Sequence, residues 1–278
     1  MLTDLNLQVG DKFFTGLSAG PQDAPLTVLL HGFPQTSHAW KWQTGHLGEE
    51  GQRAVAPDLR GHSPAGPRPA DIADYHLDAV GQDVIELAEA LGHNTFHLVG
   101  HDLGGIVAWY LAAHYPERVC TLTAVSTPHL GAFAAALHNP AITRVPPFAL
   151  FRQPAPIAEQ IMLADDAAAL RAAYTGLEPQ DVSRYVQTFQ RPGILTAALN
   201  YFRAIDYEQW FALPPVTVPT QFVWGVEDPY LEDSTAQATA EYVKDGYQAH
   251  PLDGVAHWVP DTARRELASL LLQHIAER

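Results

Sequence analysis

Between Phe96 and Ala112 the chain reads FHLVGHDLGGIVAWYLA. A short apolar run passes through a glycine-flanked bend into a second apolar stretch, and this arrangement restricts the fold more than any other segment. Gly100 and Gly104 stand two positions either side of Asp102, the spacing of a strand that turns sharply into a helix. The apex residue of such a bend is held in a strained backbone conformation. Its neighbours two positions away must be small because the helix passes close to the strand. A helix beginning near Leu103 directs its first N–H groups and its positive dipole end at the apex side chain, so a carboxylate there stays ionised.

The rest of the chain supplies a setting for that bend. LTVLLHG (from Leu26), RAVAPDL (from Arg53) and VCTLTAVS (from Val119) are further short apolar runs without strict alternation. Runs of this kind suit a parallel sheet covered on both faces. Val80, Val84, Leu87 and Leu91 recur at helical spacing and form a stripe able to pack on such a sheet. From Gly131 to Leu213 strand signals stop, and helix-like pieces such as AEQIMLADDAAALRAAY and QDVSRYVQTF take over. Strand signals resume at PTQFVWGVED and YQAHPLDG, and a closing helix carries Leu267, Leu270, Leu271 and Ile275. The expectation is an α/β fold, a mostly parallel doubly wound sheet. Residues 1–130 and 214–278 form the core, and residues 131–213 form an inserted helical cap that acts as a lid.

Composition excludes several function classes. A net charge of −15 argues against nucleic acid and anionic membranes, both of which reward basic patches. A single cysteine, Cys120, rules out an internal disulfide. The first residues, MLTDLNLQVGDKFF, lack the basic and apolar blocks of a leader, and no apolar run approaches the about 18 residues of a membrane span. A cytoplasmic location is expected. His93 and His97 lie four apart in HNTFH, but no HExxH pattern or cysteine cluster accompanies them, so no metal is expected. GHDLGG lacks the G-x-G-x-x-G spacing of a dinucleotide site. The expected partners are a small apolar molecule and water, with no cofactor; oligomeric state leaves no mark in the sequence.

The choice of aspartate at the apex points to a particular chemistry. A serine there needs a base to remove its proton as it attacks, whereas an aspartate is already ionised at neutral pH. Attack by a carboxylate on an ester carbonyl gives an anhydride, a poor stopping place. Attack on a saturated carbon bearing an epoxide oxygen or a halide gives an ordinary alkyl ester, which activated water then hydrolyses. His257, in GVAHWVP before the last helix, is placed to activate that water. Asp228, in FVWGVEDP, is placed to orient the imidazole. Glu227 competes for that role, but Asp228 lies one residue further past the strand end, beside a turn-forming proline. The N–H groups of Phe33, in HGFP, and of Leu103 are the expected oxyanion hole, and Phe33–Pro34 is a candidate cis peptide. The chain order nucleophile, acid, histidine is that of the α/β-hydrolase fold.

With those residues placed, the chain resembles the epoxide hydrolase branch of the α/β-hydrolase superfamily, to which haloalkane and haloacetate dehalogenases are related. HGFPQTSHAWKWQ is similar to that branch's oxyanion segment, APDLRGHS to the segment after the next strand, VGHDLGG to its nucleophile elbow and GVAHWVP to its histidine loop. FRQPAPIAEQIML and LNYFRA resemble pieces of its helical cap. The resemblance implies that Asp102 opens the substrate and that His257, backed by Asp228, activates the hydrolytic water. It also implies two cap tyrosines that hydrogen-bond the epoxide oxygen, and here the chain departs from the pattern. Phe202 stands where one tyrosine precedes the arginine, with Tyr201 one position early, and Pro147 stands at the other place. Tyr201 serves only if the helix register shifts, because one position is a rotation of about 100°. Tyr174, Tyr185 and Tyr207 are unassigned. Pro34, Tyr201, Phe202 and Trp258 are the candidate substrate contacts. A dehalogenase using the same nucleophile is the alternative enzyme, for which Trp109, Trp210 or, best placed, Trp258 would supply an indole N–H. The family's Trp or Arg after the nucleophile is replaced by Leu103. A hydrolase fold that holds a ligand without turnover is the non-enzymatic alternative, against which the complete set of Asp102, Asp228 and His257 counts.

Overall fold

The computed structural model describes residues 1–277. In chain order the elements are β1 (Thr3–Val9), β2 (Lys12–Ala19), β3 (Leu26–Leu30), α1 (Lys41–Glu49), β4 (Arg53–Pro57), α2 (Leu77–Ala90), β5 (Phe96–His101), α3 (Leu103–His114) and β6 (Val119–Val125). They continue with α4 (Leu130–Leu137), α5 (Phe148–Phe151), α6 (Ile157–Ala173), α7 (Pro179–Phe189), α8 (Ile194–Arg203) and α9 (Tyr207–Phe211). The chain then forms β7 (Thr220–Gly225), α10 (Asp233–Ala238), β8 (Tyr247–Leu252), α11 (Val259–Thr262) and α12 (Arg264–Ala276).

One sheet of eight strands runs in the order β1-β2-β4-β3-β5-β6-β7-β8. The first three neighbours pair antiparallel, and every pairing from β4 to β8 is parallel. The six parallel strands are the runs read from the sequence. The β1–β2 hairpin was not among them. Of β1 only Leu5 is buried, so this edge strand lacks the dense apolar signature of the central ones.

Side-chain alternation along the strands divides the core in two. Val28 and Leu30 of β3, Leu98 of β5, Ala124 of β6 and Phe222 of β7 face one way, packing with Val80, Val84 and Leu87 of α2 and with α3. Leu29, Val99, Val125 and Val223, their sequence neighbours, face the other way against Trp40, Leu47 of α1 and Leu267, Leu271 and Ile275 of α12. The central strands therefore read as continuous apolar runs because both of their faces are covered.

α3 lies against the sheet with almost no clearance. A Cβ on Gly104 would stand 2.2 Å from the Leu30 carbonyl oxygen, and one on Gly100 would stand 2.3 Å from the Gly104 carbonyl oxygen. Gly45, inside α1, has no such neighbour within 4 Å. Gly104→Ala is therefore expected to cost about 3 kcal/mol or more, since the backbone itself must move. Gly45→Ala is expected to add about 0.4–1 kcal/mol by restricting the unfolded chain. Chemical denaturation of both variants checks this pair, and a Gly104→Ala protein within 1 kcal/mol of the parent would contradict the close approach.

Between β6 and β7 the described residues form helices only, α4 to α9. Their apolar side chains, among them Phe148, Tyr185, Phe189 and Phe202, are continuous with the α2–α3 side of the core. Arg203 and the buried Glu159 join α8 to α6 through two contacts of 2.9 and 3.0 Å. The segment read as one helical piece from Ala158 is broken: Asp165, Asp166 and Ala167 have φ of 50°, 55° and 59°. The two aspartates are among the residues that tolerate this left-handed region, and Arg171 closes over the break with an Nε–H bond to the Asp166 carbonyl at 2.9 Å. Among the described residues no helix is long and apolar enough to cross a membrane.

Candidate active site

Asp102 stands between β5 and α3 with φ 50° and ψ −117°, a strained conformation for a residue with a side chain. Its amide donates to the Val125 carbonyl at 3.2 Å, and its carbonyl accepts from Thr127 Oγ1 at 2.9 Å. The backbone is thus tied to β6 and the following loop, and the carboxylate is turned out of the sheet. The Phe33 amide donates to Asp102 Oδ1 at 2.7 Å. Gly32 permits this approach, because a Cβ there would lie 2.6 Å from Asp102 Cβ. Leu103 opens α3, but the helix N-terminus makes no hydrogen bond to the Asp102 carboxylate. Of the two expected oxyanion donors, only Phe33 is engaged. The Phe33–Pro34 peptide is cis.

His257 arrives from the loop after β8. That loop crosses the end of β7 so closely that a Cβ on Gly225 would meet the Val255 carbonyl oxygen at 2.2 Å. The His257 carbonyl accepts from Ser126 Oγ at 2.9 Å and from His101 Nε2 at 3.0 Å, which anchors the loop to the ends of β5 and β6. Its ring then spans two carboxylates. Nδ1 lies 2.8 Å from Asp228 Oδ2, and Nε2 lies 3.4 Å from Asp102 Oδ2. Asp228 is fully buried, and its other oxygen accepts from the Tyr230 amide at 2.8 Å. Glu227 is exposed and takes no part in this arrangement.

The two flanking carboxylates set the charge of the site. Burial alone would push the His257 imidazolium down, but the charge of Asp228 and the hydrogen bonds and charge of Asp102 outweigh it, raising the group to about 10. Burial would raise the Asp102 carboxyl; the hydrogen bond and charge of His257, helped by His101 and the Phe33 amide, hold it below its ordinary value. With no substrate bound, a carboxylate therefore faces an imidazolium.

Above them lies a cavity of about 30 Å³, room for one or two water molecules. Apart from Asp102, Tyr230 and His257 its walls are apolar: Phe33, Pro34, Pro146, Pro147, Phe148, Phe151, Ala173, Phe202 and Trp258. Phe33 meets Phe151 and Phe202 edge-on at 5.1 Å each. Larger hollows exist, such as one of 390 Å³ between α1 and α7, but it is lined by neither Asp102 nor His257, and its walls carry polar side chains such as His38, Asp181 and Arg264.

Pro34, Phe202 and the Trp258 ring line the cavity, whereas Tyr201 does not. α8 runs through Tyr201 without a shift in register, so its hydroxyl points away and donates to the Arg60 carbonyl at 3.1 Å. The Tyr201 expectation is corrected accordingly. Trp258 also differs from expectation, because its indole N–H is committed to the Ala173 carbonyl at 2.9 Å. Trp109 is committed likewise, to Thr127 at 2.9 Å. Tyr174 donates to the Pro34 carbonyl, Tyr185 stacks on Tyr174, and Tyr207 lies under Arg152. Sequence reasoning missed Tyr230, which lines the cavity beside His257; its one signal was a place two residues after the acid, in EDPY.

The described residues include no cluster of His, Cys, Asp and Glu able to hold a metal ion. The site can present an ionised oxygen to an apolar molecule and an imidazole to a water.

Comparison with known proteins places the chain in a family. The family described as alpha/beta hydrolase fold matches residues 25–263. The AB hydrolase superfamily protein YfhM of Bacillus subtilis is 33% identical over 268 residues, 93% of this chain and 92% of that protein. Epoxide hydrolase 4 of Mus musculus is 33% identical over 263 residues, 88% of this chain and 71% of that protein. The crystal structure of Epoxide Hydrolase A from Mycobacterium thermoresistibile superposes with a TM-score of 0.88 at 24% identity, covering 99% of this chain and 98% of that one, a likeness of fold. The chain is a hydrolase of the α/β-hydrolase superfamily and belongs to its epoxide hydrolase branch.

Proposed function

We propose that the protein hydrolyses small, apolar epoxides to vicinal diols through an ester formed on Asp102. The observation that carries this reading is the line Asp228–His257–Asp102, with 2.8 Å and 3.4 Å contacts, beneath an apolar cavity. Relatives 33% and 30% identical to this chain are named epoxide hydrolases.

In the first step Asp102 Oδ2 attacks an epoxide carbon from the cavity side, while the Phe33 N–H holds Oδ1. Ester formation removes the Asp102 charge. Burial and Asp228 then act on His257 without Asp102, so the imidazolium loses its proton more readily and becomes a base. His257 takes a proton from water, the hydroxide attacks Asp102 Cγ, and the oxyanion develops on the oxygen already held by Phe33. Asp228 fixes the ring so that Nε2 faces the ester. In this reading residues 131–213 are a cap that excludes bulk water from the intermediate.

Commitment of the Trp258 and Trp109 N–H groups to backbone carbonyls leaves neither free for a halide. A panel of small epoxides, haloalkanes and haloacetates, read out as diol and as free halide, tests the proposal. Diol from epoxides without comparable halide release is the expected result. Halide release alone would transfer the nucleophile to dehalogenation, and no turnover of any class would favour a ligand-holding protein.

A further inference from the structure

Ring opening at Asp102, taken from the reading above, leaves the electron pair of the broken C–O bond on the epoxide oxygen. An alkoxide is a poor leaving group in an apolar cavity unless a proton reaches it. Among the side chains lining the cavity, three carry an N–H or O–H: His257, Trp258 and Tyr230. The Trp258 N–H is spent on Ala173. Both ring nitrogens of His257 face carboxylates, Nδ1 that of Asp228 and Nε2 that of Asp102. The Tyr230 hydroxyl has no hydrogen-bond partner among the described residues, and only the backbone amide of this residue is engaged.

Tyr230 is also held firmly. Its amide is bonded to Asp228 Oδ1 at 2.8 Å, and its ring meets the His257 imidazole edge-on, with centroids 5.0 Å apart and planes at 85°. We propose that Tyr230 is a catalytic residue of ring opening, its phenol donating a proton to the epoxide oxygen as Asp102 forms the ester. Burial, with the charges of Asp102 and Asp228, raises the phenol's pKa, so it carries its proton throughout the neutral range. The balance closes over the cycle. Asp102 Oδ2 bonds to carbon, the C–O bond breaks, and the alkoxide takes the Tyr230 proton, leaving a phenolate. Water then adds to Cγ. One of its protons reaches the departing diol oxygen through His257, which has first passed its own imidazolium proton to the phenolate; the other, left on the regenerated Asp102 carboxyl, returns to His257 and restores the ion pair. The donor thus belongs to the loop that carries the orienting acid, not to the helical insertion.

Single-turnover kinetics of Tyr230→Phe with propylene oxide, an epoxide matched to the small cavity, test this. The variant keeps the ring and removes a hydroxyl that bonds to nothing in the protein, so its melting temperature should match the parent's. Ester formation, followed by intact-protein mass spectrometry, is expected to slow about 10²- to 10³-fold. Ester hydrolysis should stay within about threefold, because the groups acting on water are untouched. Unchanged ester formation would overturn the proposal, and equal slowing of both steps would show that Tyr230 merely positions His257. The same measurement in a His257→Gln background separates the two readings. No ester with Tyr230 intact would defeat the Asp102 reading itself, whereas an ester formed equally fast with Phe at position 230 would defeat only the role of Tyr230.

Discussion

His257→Gln is expected to stop turnover and leave the substrate attached to the protein. Glutamine keeps a polar group near Asp228 but cannot take a proton from water, so the first step proceeds and the second does not. Loss of a general base typically removes about 10²–10⁴ in rate. The Asp102 ester should then outlast its lifetime in the parent enzyme by a similar factor. Intact-protein mass spectrometry should show the chain heavier by one substrate, and peptide mapping should place the added mass on the segment containing Asp102. An unmodified chain after incubation with an epoxide that the parent enzyme hydrolyses would refute a covalent route.

Asp102→Ala should abolish both turnover and the adduct, and it should also change how His257 titrates. Asp102 contributes a hydrogen bond and a charge that favour the imidazolium. Without them the burial of the ring is opposed by Asp228 alone, so the His257 pKa must fall from about 10. The sign for stability follows from linkage. In the parent the folded pKa lies above the unfolded value of about 6.5. The contribution is complete below pH 6.5 and is lost as pH rises through about 10. In Asp102→Ala that window narrows from its alkaline end. NMR titration of the His257 ring in both proteins, with denaturation midpoints at matched pH, measures the effect. An unchanged His257 titration in the variant would mean that the 3.4 Å contact carries no charge coupling.

Much of the fold was legible because its signals are local. β3 to β7 are covered on both faces, so each strand reads as a dense apolar run, and the glycines around Asp102 announce a helix resting on a strand. β1 stayed hidden because an edge strand with one buried residue resembles a loop. The break in α6 stayed hidden because alanine and leucine, both strong helix formers, dominate LADDAAAL and mask its two aspartates. Asp102, Asp228 and His257 could each be proposed from position alone, since each sits in a loop just past a strand end and parallel strands deliver such loops to one edge of the sheet.

The sequence by itself determined the parallel α/β core and the presence of an ionised carboxylate at its sharp bend, because both follow from residue spacing within one or two neighbouring elements. Only the tertiary structure decided which polar hydrogens reach the cavity. Tyr201 and Phe202 differ by one step on a helix, and that rotation sends a hydroxyl to Arg60 while a phenyl ring lines the cavity. Whether the Trp258 N–H and the Tyr230 O–H are free depends on a carbonyl from α6 and on the path of the loop after β7. Such partners lie tens of residues away in the chain and leave no periodicity to read.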